Sequence, residues 1–556
     1  MSEGFEQKGD RRLALGLAAA YFVALLASAS TLGYARDEGF YFQAARAYRA
    51  WFDLLLTNPG AAIQRETVDR YWVVNHEHPS LMKVLFAFSH QLFHEKLGWI
   101  QEPGTAYRLP GMAMGALAVA ILYLWGRRAL GRVGGVFAAV AFALLPRVFY
   151  HAHLACFDVP VTTMWLATSY AYFLALQTGR TRWLWGSGLL YGLLLETKHN
   201  AWLLPIALGA HLLVMVVAEL LGTQRLPRPL VPRPLWYMAV LGPLVFLALW
   251  PWMWFEPWLR FPEYVRFHTQ HEYYNMEFLG RTYWKPPMPE GYAWLMTFGT
   301  VPFVTLLLAV IGAFAALAFV RDDAQHSATP VARPPLLPSA GSAQFFWLVG
   351  LLVSYAPWWS SETPIFGGTK HWMTAYPFLC LLAGKGFSML LTHLKGWLGE
   401  RGPASKALTP LAFASVSVAP LLMTIHSHPF ALSFYTPFVG GTAGAATRGL
   451  NRTFWGYTTG SLVDFLNERS GPGDSVFVHD TALQSWEMLR EDGRIRSDLQ
   501  GTLAIHQSDF ALYHHEQHMA PVEYQIWVNY DTVVPARIET LDGVPVVWVY
   551  ERTRPR

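Results

Sequence analysis

Two carboxylates, Asp37 and Glu38, stand side by side just past the first apolar run, and Glu77-His78-Pro79 follows before another apolar stretch opens. Acids at the end of a hydrophobic segment are expensive unless they face a polar cavity, so this pair marks a candidate site. The same two charges also suit a helix start, with Asp37 as N-cap of a helix beginning near Glu38 and both acids at its positive end. On residue type alone both readings stand.

Further polar residues interrupt apolar sequence at Asp158, at Glu196-Thr197-Lys198-His199-Asn200, at His268 and His271 in an aromatic-rich loop with Arg281, and at Lys370-His371. Lys198 and Lys370 are candidate site cations. Each could instead snorkel from a span end to the interface. Asp158 ahead of Pro160 suits a helix cap as well as a site acid. Glu77 with His271 is a candidate divalent-metal pair, weighed against simple hydrogen bonding; no other cofactor is implied.

The elements that must position these groups are membrane spans. Of the 556 residues, 53% are hydrophobic and 14% charged, against roughly a quarter charged in soluble domains. The 24 Trp and 25 Tyr, many beside the ends of apolar runs, suit interfacial aromatic belts. A net charge of +4 gives no reason to expect a nucleic-acid partner. Cys156 and Cys380 lie far apart in or beside apolar segments and read as packing residues, not a disulfide.

Lys8, Arg11 and Arg12 precede the first run, Leu13 to Gly33, which puts the N-terminus inside. Later basic clusters, at Arg127-Arg128-Arg132, Arg180-Arg182, Arg225-Arg228-Arg233, Arg321 and Lys395-Arg401-Lys406, mark alternate loops. The reading is a polytopic α-helical membrane protein of about 11 transmembrane helices, counted at roughly 20 residues per crossing. Amphipathic stretches Phe40–Leu56 and Leu81–Leu97 should lie at the interface within a first outer loop, 34–108. A Pro/Ala/Ser-rich inner linker runs from Arg321 to about Ala343, and the loop from Glu256 to Gly291 is long enough to be functional.

Past His426 the apolar runs shorten to strand length. Ser475–His479 reads as a buried strand, Leu483–Arg490 as a helix, and Ile538–Leu541 with Val544–Tyr550 as a hairpin about Asp542-Gly543. The expected division is a transmembrane domain over 1–425 and a small α/β domain over 426–556. An odd span count places the latter outside, on the same face as Asp37, His151, His153 and Asp158. Candidate groups gathered on one face favour surface catalysis over transport, which needs ionisable groups through the bilayer depth.

The acidic pair after the first span, His78-Pro79-Ser80-Leu81-Met82-Lys83 and Asp158-Val159-Pro160 together resemble landmarks of the dolichyl-phosphate-mannose protein mannosyltransferases and the bacterial lipid A aminoarabinose transferases, both C-type glycosyltransferases. The segment His428–Pro437 with Gly440-Gly441 is similar to one after the last span of prokaryotic relatives. The resemblance implies transfer of a sugar from a polyprenyl-phosphate carrier to a hydroxyl of a protein, lipid or glycan acceptor, with inversion, at the outer face of the cytoplasmic membrane. It implies Asp37 as catalytic carboxylate, with Glu38 and Asp158 as further acidic candidates. Lys198, Lys370 and His78 would bind the donor phosphate, and His268, Arg281 and His371 would contact substrate from the outer loops. Ser80 departs from the mannosyltransferase second proline, and His78 stands where the aminoarabinose enzymes carry lysine. The competing classes are a transporter or flippase of lipid-linked glycans and a glycan polymerase or ligase.

Overall fold

The computed structural model describes residues 8–227, 229–325, 337, 339–398 and 403–553. Most of the Pro/Ala/Ser-rich linker lies outside the described residues, as do Arg228 and Arg401. Among the described residues, six helices are long and apolar enough to cross a membrane: Lys8–Thr31, Pro103–Ala143, Asp158–Thr178, His199–Thr223, Gly368–Leu398 and Ala407–Ser427. A seventh follows if Tyr292–Thr300 and Phe303–Ala318, bent by 120°, form one broken span.

The difference from eleven has a geometric cause. The expected fifth, seventh and ninth spans are the helices Thr181–Leu195, Arg233–Leu249 and Ala340–Tyr355, of 15, 17 and 16 residues. At about 1.5 Å per residue these reach roughly 22–26 Å, short of a bilayer core of about 30 Å. The expected second and third spans are one 41-residue element, Pro103–Ala143, broken at Gly131 (φ 84°, ψ 174°). Its two arms fold back on each other, because a Cβ at Gly135 would lie 2.7 Å from the Tyr123 carbonyl oxygen. Only glycine reaches that φ without strain, so Gly131 makes the hairpin.

The start of the first helix belongs to one end of the bundle, where Asp10 pairs with Arg127 at 2.8 Å and Arg132 at 2.7 Å beside the Gly131 turn. At the other end the chain forms the helix Arg36–Thr57, packed against Leu81–Ser89. The predicted helix Leu81–Leu97 does not run through; it gives way to a π-helical turn over His90–Lys96.

After the helix Pro403–Ser427 the chain builds a five-stranded sheet of order β4-β3-β5-β7-β6. The strands are β3 (Ser475–Phe477), β4 (Gln500–Thr502), β5 (Phe510–Tyr513), β6 (Arg537–Leu541) and β7 (Val544–Glu551). β3 pairs in parallel with β4 and β5, while β7 runs antiparallel to β5 and β6. Asp542 and Gly543 both have positive φ, 52° and 73°, as a two-residue hairpin turn of this kind requires. One apolar core fills the helical bundle around Trp125, Trp165, Trp347 and Phe378. A second joins Tyr34, Phe42 and Phe157 to Trp455, Trp486 and Leu512, so the sheet shares its packing with the helix Arg36–Thr57.

Candidate active site

The helix after the first span starts at Arg36 with Ala35 at the N-cap, not Asp37. Asp37 and Glu38 therefore sit in the first turn, where consecutive side chains point about 100° apart. That separation sends them to different fates. Glu38 is wholly buried: its two oxygens face the Arg108 guanidinium at 2.8 and 2.7 Å, and they also accept from the Ala155 and Ala35 amides at 3.0 and 2.9 Å. With its lone pairs so engaged, Glu38 ties the helix Arg36–Thr57 to the Pro103–Ala143 hairpin. It has no acceptor capacity left for a substrate proton.

Asp37 keeps 23% of its side-chain surface exposed, and its Oδ2 accepts from Lys370 Nζ at 3.0 Å. Lys370 arrives on the 3-10 segment Gly368–Ala375, entered through Gly367 and Gly368 with φ of 73° and 61°. A Cβ at Gly367 would fall 2.6 Å from the Trp455 ring and 2.9 Å from Lys370 Nζ, so a side chain there would displace the cation. The ammonium lies 3.8 Å from the centroid of Trp455 and 5.5 Å from that of Phe366, within cation–π range.

Trp455 is itself unusual, since a bulky residue at φ 68° is an outlier. Its carbonyl accepts from the Arg36 amide at 2.9 Å, and Asp480 accepts from both the Gly456 amide (3.0 Å) and Arg36 Nη1 (2.9 Å). Segments beyond the last span thus hold a strained tryptophan against the Asp37–Lys370 pair. Strain of about 1–3 kcal/mol persists only where surrounding contacts over-determine it, and it clusters at functional sites.

A second pair lies close by. Lys198 Nζ donates to Asp158 Oδ1 at 2.6 Å, and His151 Nδ1 is 3.7 Å from Asp158 Oδ2. Asp158 is 3% exposed and sits in the first turn of Asp158–Thr178, after Phe157 as N-cap. The His151 ring lies 5.7 Å from that of Trp455, the ring that covers Lys370, so His151 stands between the two ion pairs.

The Glu77-His78 turn is held from beneath. Lys83 is buried and donates to the carbonyls of Asn75 (2.6 Å) and His78 (2.8 Å), and burial pulls its ammonium down to about 7. The lysine of the His-Pro-x-Leu-x-Lys motif is therefore a strut for the turn. From above, the His268 ring stacks on His199 at 4.0 Å and its Nε2–H donates to the Glu77 carbonyl at 2.9 Å.

Burial, reinforced by His268, keeps His78 well below the usual imidazole range, and burial brings His268 to about 3. His78 is thus neutral here, packed among the Tyr41, Phe157 and His268 rings with its Nδ1 buried and unpaired, and not the phosphate-binding cation expected from its place in the motif. Because these folded values are depressed, the unfolded chain takes up protons that the folded chain refuses once the pH falls below about 6.5, and stability drains away towards pH 3. His268→Gln keeps an N–H donor without a titrating ring. It should reduce the acid-limb slope by about one proton, or ~1.4 kcal/mol per pH unit. Tryptophan fluorescence during acid titration of solubilised protein reads this, and an unchanged slope would count against a buried neutral His268.

The remaining expected contacts are placed as follows. His371 Nε2 accepts from the Phe366 amide at 3.1 Å and its ring packs 5.3 Å from Trp358, so it shapes the segment carrying Lys370. Arg281 is exposed on the β1–β2 hairpin (Met276–Phe278 and Arg281–Tyr283), stacked over Tyr283 at 4.9 Å. That hairpin leans on the C-terminal region through Glu277 and His518, 3.2 Å apart. His271 stacks on Phe366 with Nδ1 2.8 Å from the Glu272 carbonyl, whereas the Glu77 carboxylate accepts from Asn75. The structure gives the Glu77–His271 metal pair no support, and among the described residues no group of three or more His, Cys, Asp or Glu is placed to hold a metal ion.

Two residues of this arrangement carry no role in the sequence analysis. Arg108 had a usable signal, an arginine at the mouth of an apolar run. Trp455 had none, because nothing local marks an aromatic as the cover of a distant lysine.

Comparison with known proteins bears on this geometry. Residues 77–252 match the family model described as dolichyl-phosphate-mannose-protein mannosyltransferase. No curated protein sequence matches the chain. Among solved structures, ArnT from Cupriavidus metallidurans bound to undecaprenyl phosphate is 15% identical with a TM-score of 0.45, the match covering 97% of this chain and 98% of that one. The Archaeoglobus fulgidus oligosaccharyltransferase in its apo form is 11% identical with a TM-score of 0.49, covering 96% of this chain and 72% of that one. The matched segment contains both the Glu77-His78-Pro79 turn and the Asp158–Lys198 pair, and over residues 77–252 this chain resembles the dolichyl-phosphate-mannose-protein mannosyltransferases, a family of membrane glycosyltransferases.

Proposed function

We propose that the chain is an inverting glycosyltransferase that moves a sugar from a polyprenyl-phosphate carrier to an acceptor hydroxyl, with Asp37 as general base. The observation that carries this reading is the Asp37–Lys370 pair: a partly exposed carboxylate and a nearly buried ammonium 3.0 Å apart. Such a pair offers a proton acceptor and an anion-binding donor at one point. In the reaction, the acceptor oxygen bonds to the anomeric carbon as its proton passes to Asp37, and the bond from that carbon to the phosphate oxygen breaks. The electron pair leaves with the lipid phosphate, where Lys370 and Lys198 take up the charge.

The pairing also suggests an order of events. Without donor, Lys370 is shared between Asp37 and the Trp455 face. A bound phosphate competes for the same ammonium and loosens its hold on Asp37, which raises the carboxylate's basicity when a proton must be removed. Asp158 keeps Lys198 aimed into the cluster. The donor named in the family's description, a dolichyl-phosphate sugar, favours a lipid-phosphate donor here.

In this reading the catalytic end and the C-terminal sheet face the exterior of the cytoplasmic membrane, since Arg127 and Arg132 pair with Asp10 at the opposite end and basic clusters favour the inside. Gathering of the Asp37–Lys370 and Asp158–Lys198 pairs at one end favours catalysis over transport. Purified protein incubated with radiolabelled polyprenyl-phosphate hexoses and a cell-envelope extract should label an acceptor. Absence of label with every donor, from protein shown to be folded, would sink the reading.

A further inference from the structure

Three arginines are buried among the described residues, and two are accounted for. Arg108 faces Glu38 and the Gly33 carbonyl; Arg260 donates to Asp69 and the Trp252 carbonyl. Arg147, on the helix Pro146–His153, is the exception. It is 2% exposed, and its Nε, Nη1 and Nη2 are all buried without a hydrogen bond. Its guanidinium lies 5.2 Å from the Tyr435 ring centroid, beside a hydroxyl that donates to the Asn451 carbonyl at 2.9 Å and does not reach hydrogen-bond geometry with the arginine. A guanidinium cannot shed its proton, so an unpaired one deep in a protein calls for an anion.

What surrounds it points to the kind of anion. Arg147 Nη1, the Tyr292 hydroxyl and the Phe454 ring edge all converge on the position a Gly368 side chain would take, at 3.5, 3.8 and 3.5 Å. Gly367, the preceding residue, faces Lys370 Nζ in the same way. Thr369, the following one, buries an unpartnered hydroxyl. The left-handed Gly367-Gly368 turn thus carries a cation on either side: Lys370 fills the space against Gly367, and Arg147 faces the space that the missing side chain leaves at Gly368. No carboxylate is paired with Arg147, and its planar fork of donors matches the oxygens of a phosphate.

We propose that Arg147, with the Gly367-Gly368-Thr369 turn, forms a subsite for a phosphate-class oxyanion beside the Asp37–Lys370 pair. Two sources have this chemistry, a lipid phosphate headgroup and a free or acceptor-borne phosphate. Only the lipid arm rests on the glycosyltransferase reading.

The test uses the full chain in detergent, with polyprenyl phosphate and inorganic phosphate as probes, comparing wild type with Arg147→Gln and Arg147→Lys by direct titration. Losing hydrogen bonds to a charged group should weaken binding by roughly 10-fold or more in the Gln variant and less in the Lys variant. An effect confined to the lipid identifies the headgroup as occupant; an equal effect on inorganic phosphate identifies a general phosphate subsite. Wild-type affinity for both probes in folded Arg147→Gln overturns the proposal. Should that variant not fold, wild-type affinity in Arg147→Lys, which keeps the charge and loses the fork, overturns it instead. Arg147-dependent phosphate binding by a chain that labels no acceptor would sink the glycosyltransferase reading alone, whereas normal sugar transfer with Arg147-independent binding would sink the subsite alone.

Discussion

Replacing Asp37 with asparagine is expected to lower sugar transfer by roughly 100-fold or more, because the amide cannot accept the acceptor's proton. Donor binding should survive, since Lys198 and Lys370 remain. Because Asp37 occupies the first turn and not the cap, the structural cost is limited to a favourable helix-end charge, about 0.3–1 kcal/mol, and to its contact with Lys370. Transfer of radiolabelled sugar by variant protein first shown to be folded separates the two effects. Near-normal transfer would remove Asp37 from the chemistry and leave Asp158, the other cluster carboxylate, as the group to examine.

Arg108→Met should be costly in a different way. It leaves Glu38 buried without its cation, and breaking a fully buried pair by removing one partner costs about 3–5 kcal/mol, a large share of the roughly 5–15 kcal/mol that stabilises a folded domain. Thermal unfolding of the solubilised protein should show a marked loss, with low yield of folded chain. Adding Glu38→Met should restore only part of it: the buried charge disappears, but the Ala35 and Ala155 amides lose their acceptor. A single variant that melts like wild type would mean the pair does not organise the helix Arg36–Thr57.

These outcomes rest on a distinction the sequence could not make. Asp37 and Glu38 are adjacent and chemically alike, and residue type alone admits both as catalytic. One turn of helix, entered at Arg36, sends Glu38 into the bundle and leaves Asp37 partly exposed. Histidine 78 shows the same limit from the other side. Its motif position suggests a phosphate ligand, yet packing among Tyr41, Phe157 and His268 removes its charge.

By itself the sequence determined the class of protein, the Asp158 helix start and the Asp542-Gly543 hairpin. Each is written in hydropathy over a short window or in turn chemistry over two to four residues, and such signals survive without knowledge of distant contacts. Only the tertiary structure decided the rest. Lys370 meets Asp37 across 333 positions of sequence, Trp455 comes from beyond the last long helix to cover that lysine, Arg147 is buried against an aromatic ring with no carboxylate beside it, and short helices replace three expected spans. Burial, pairing and isolation of charge depend on what the whole chain brings to one point, and no local run of residues records that.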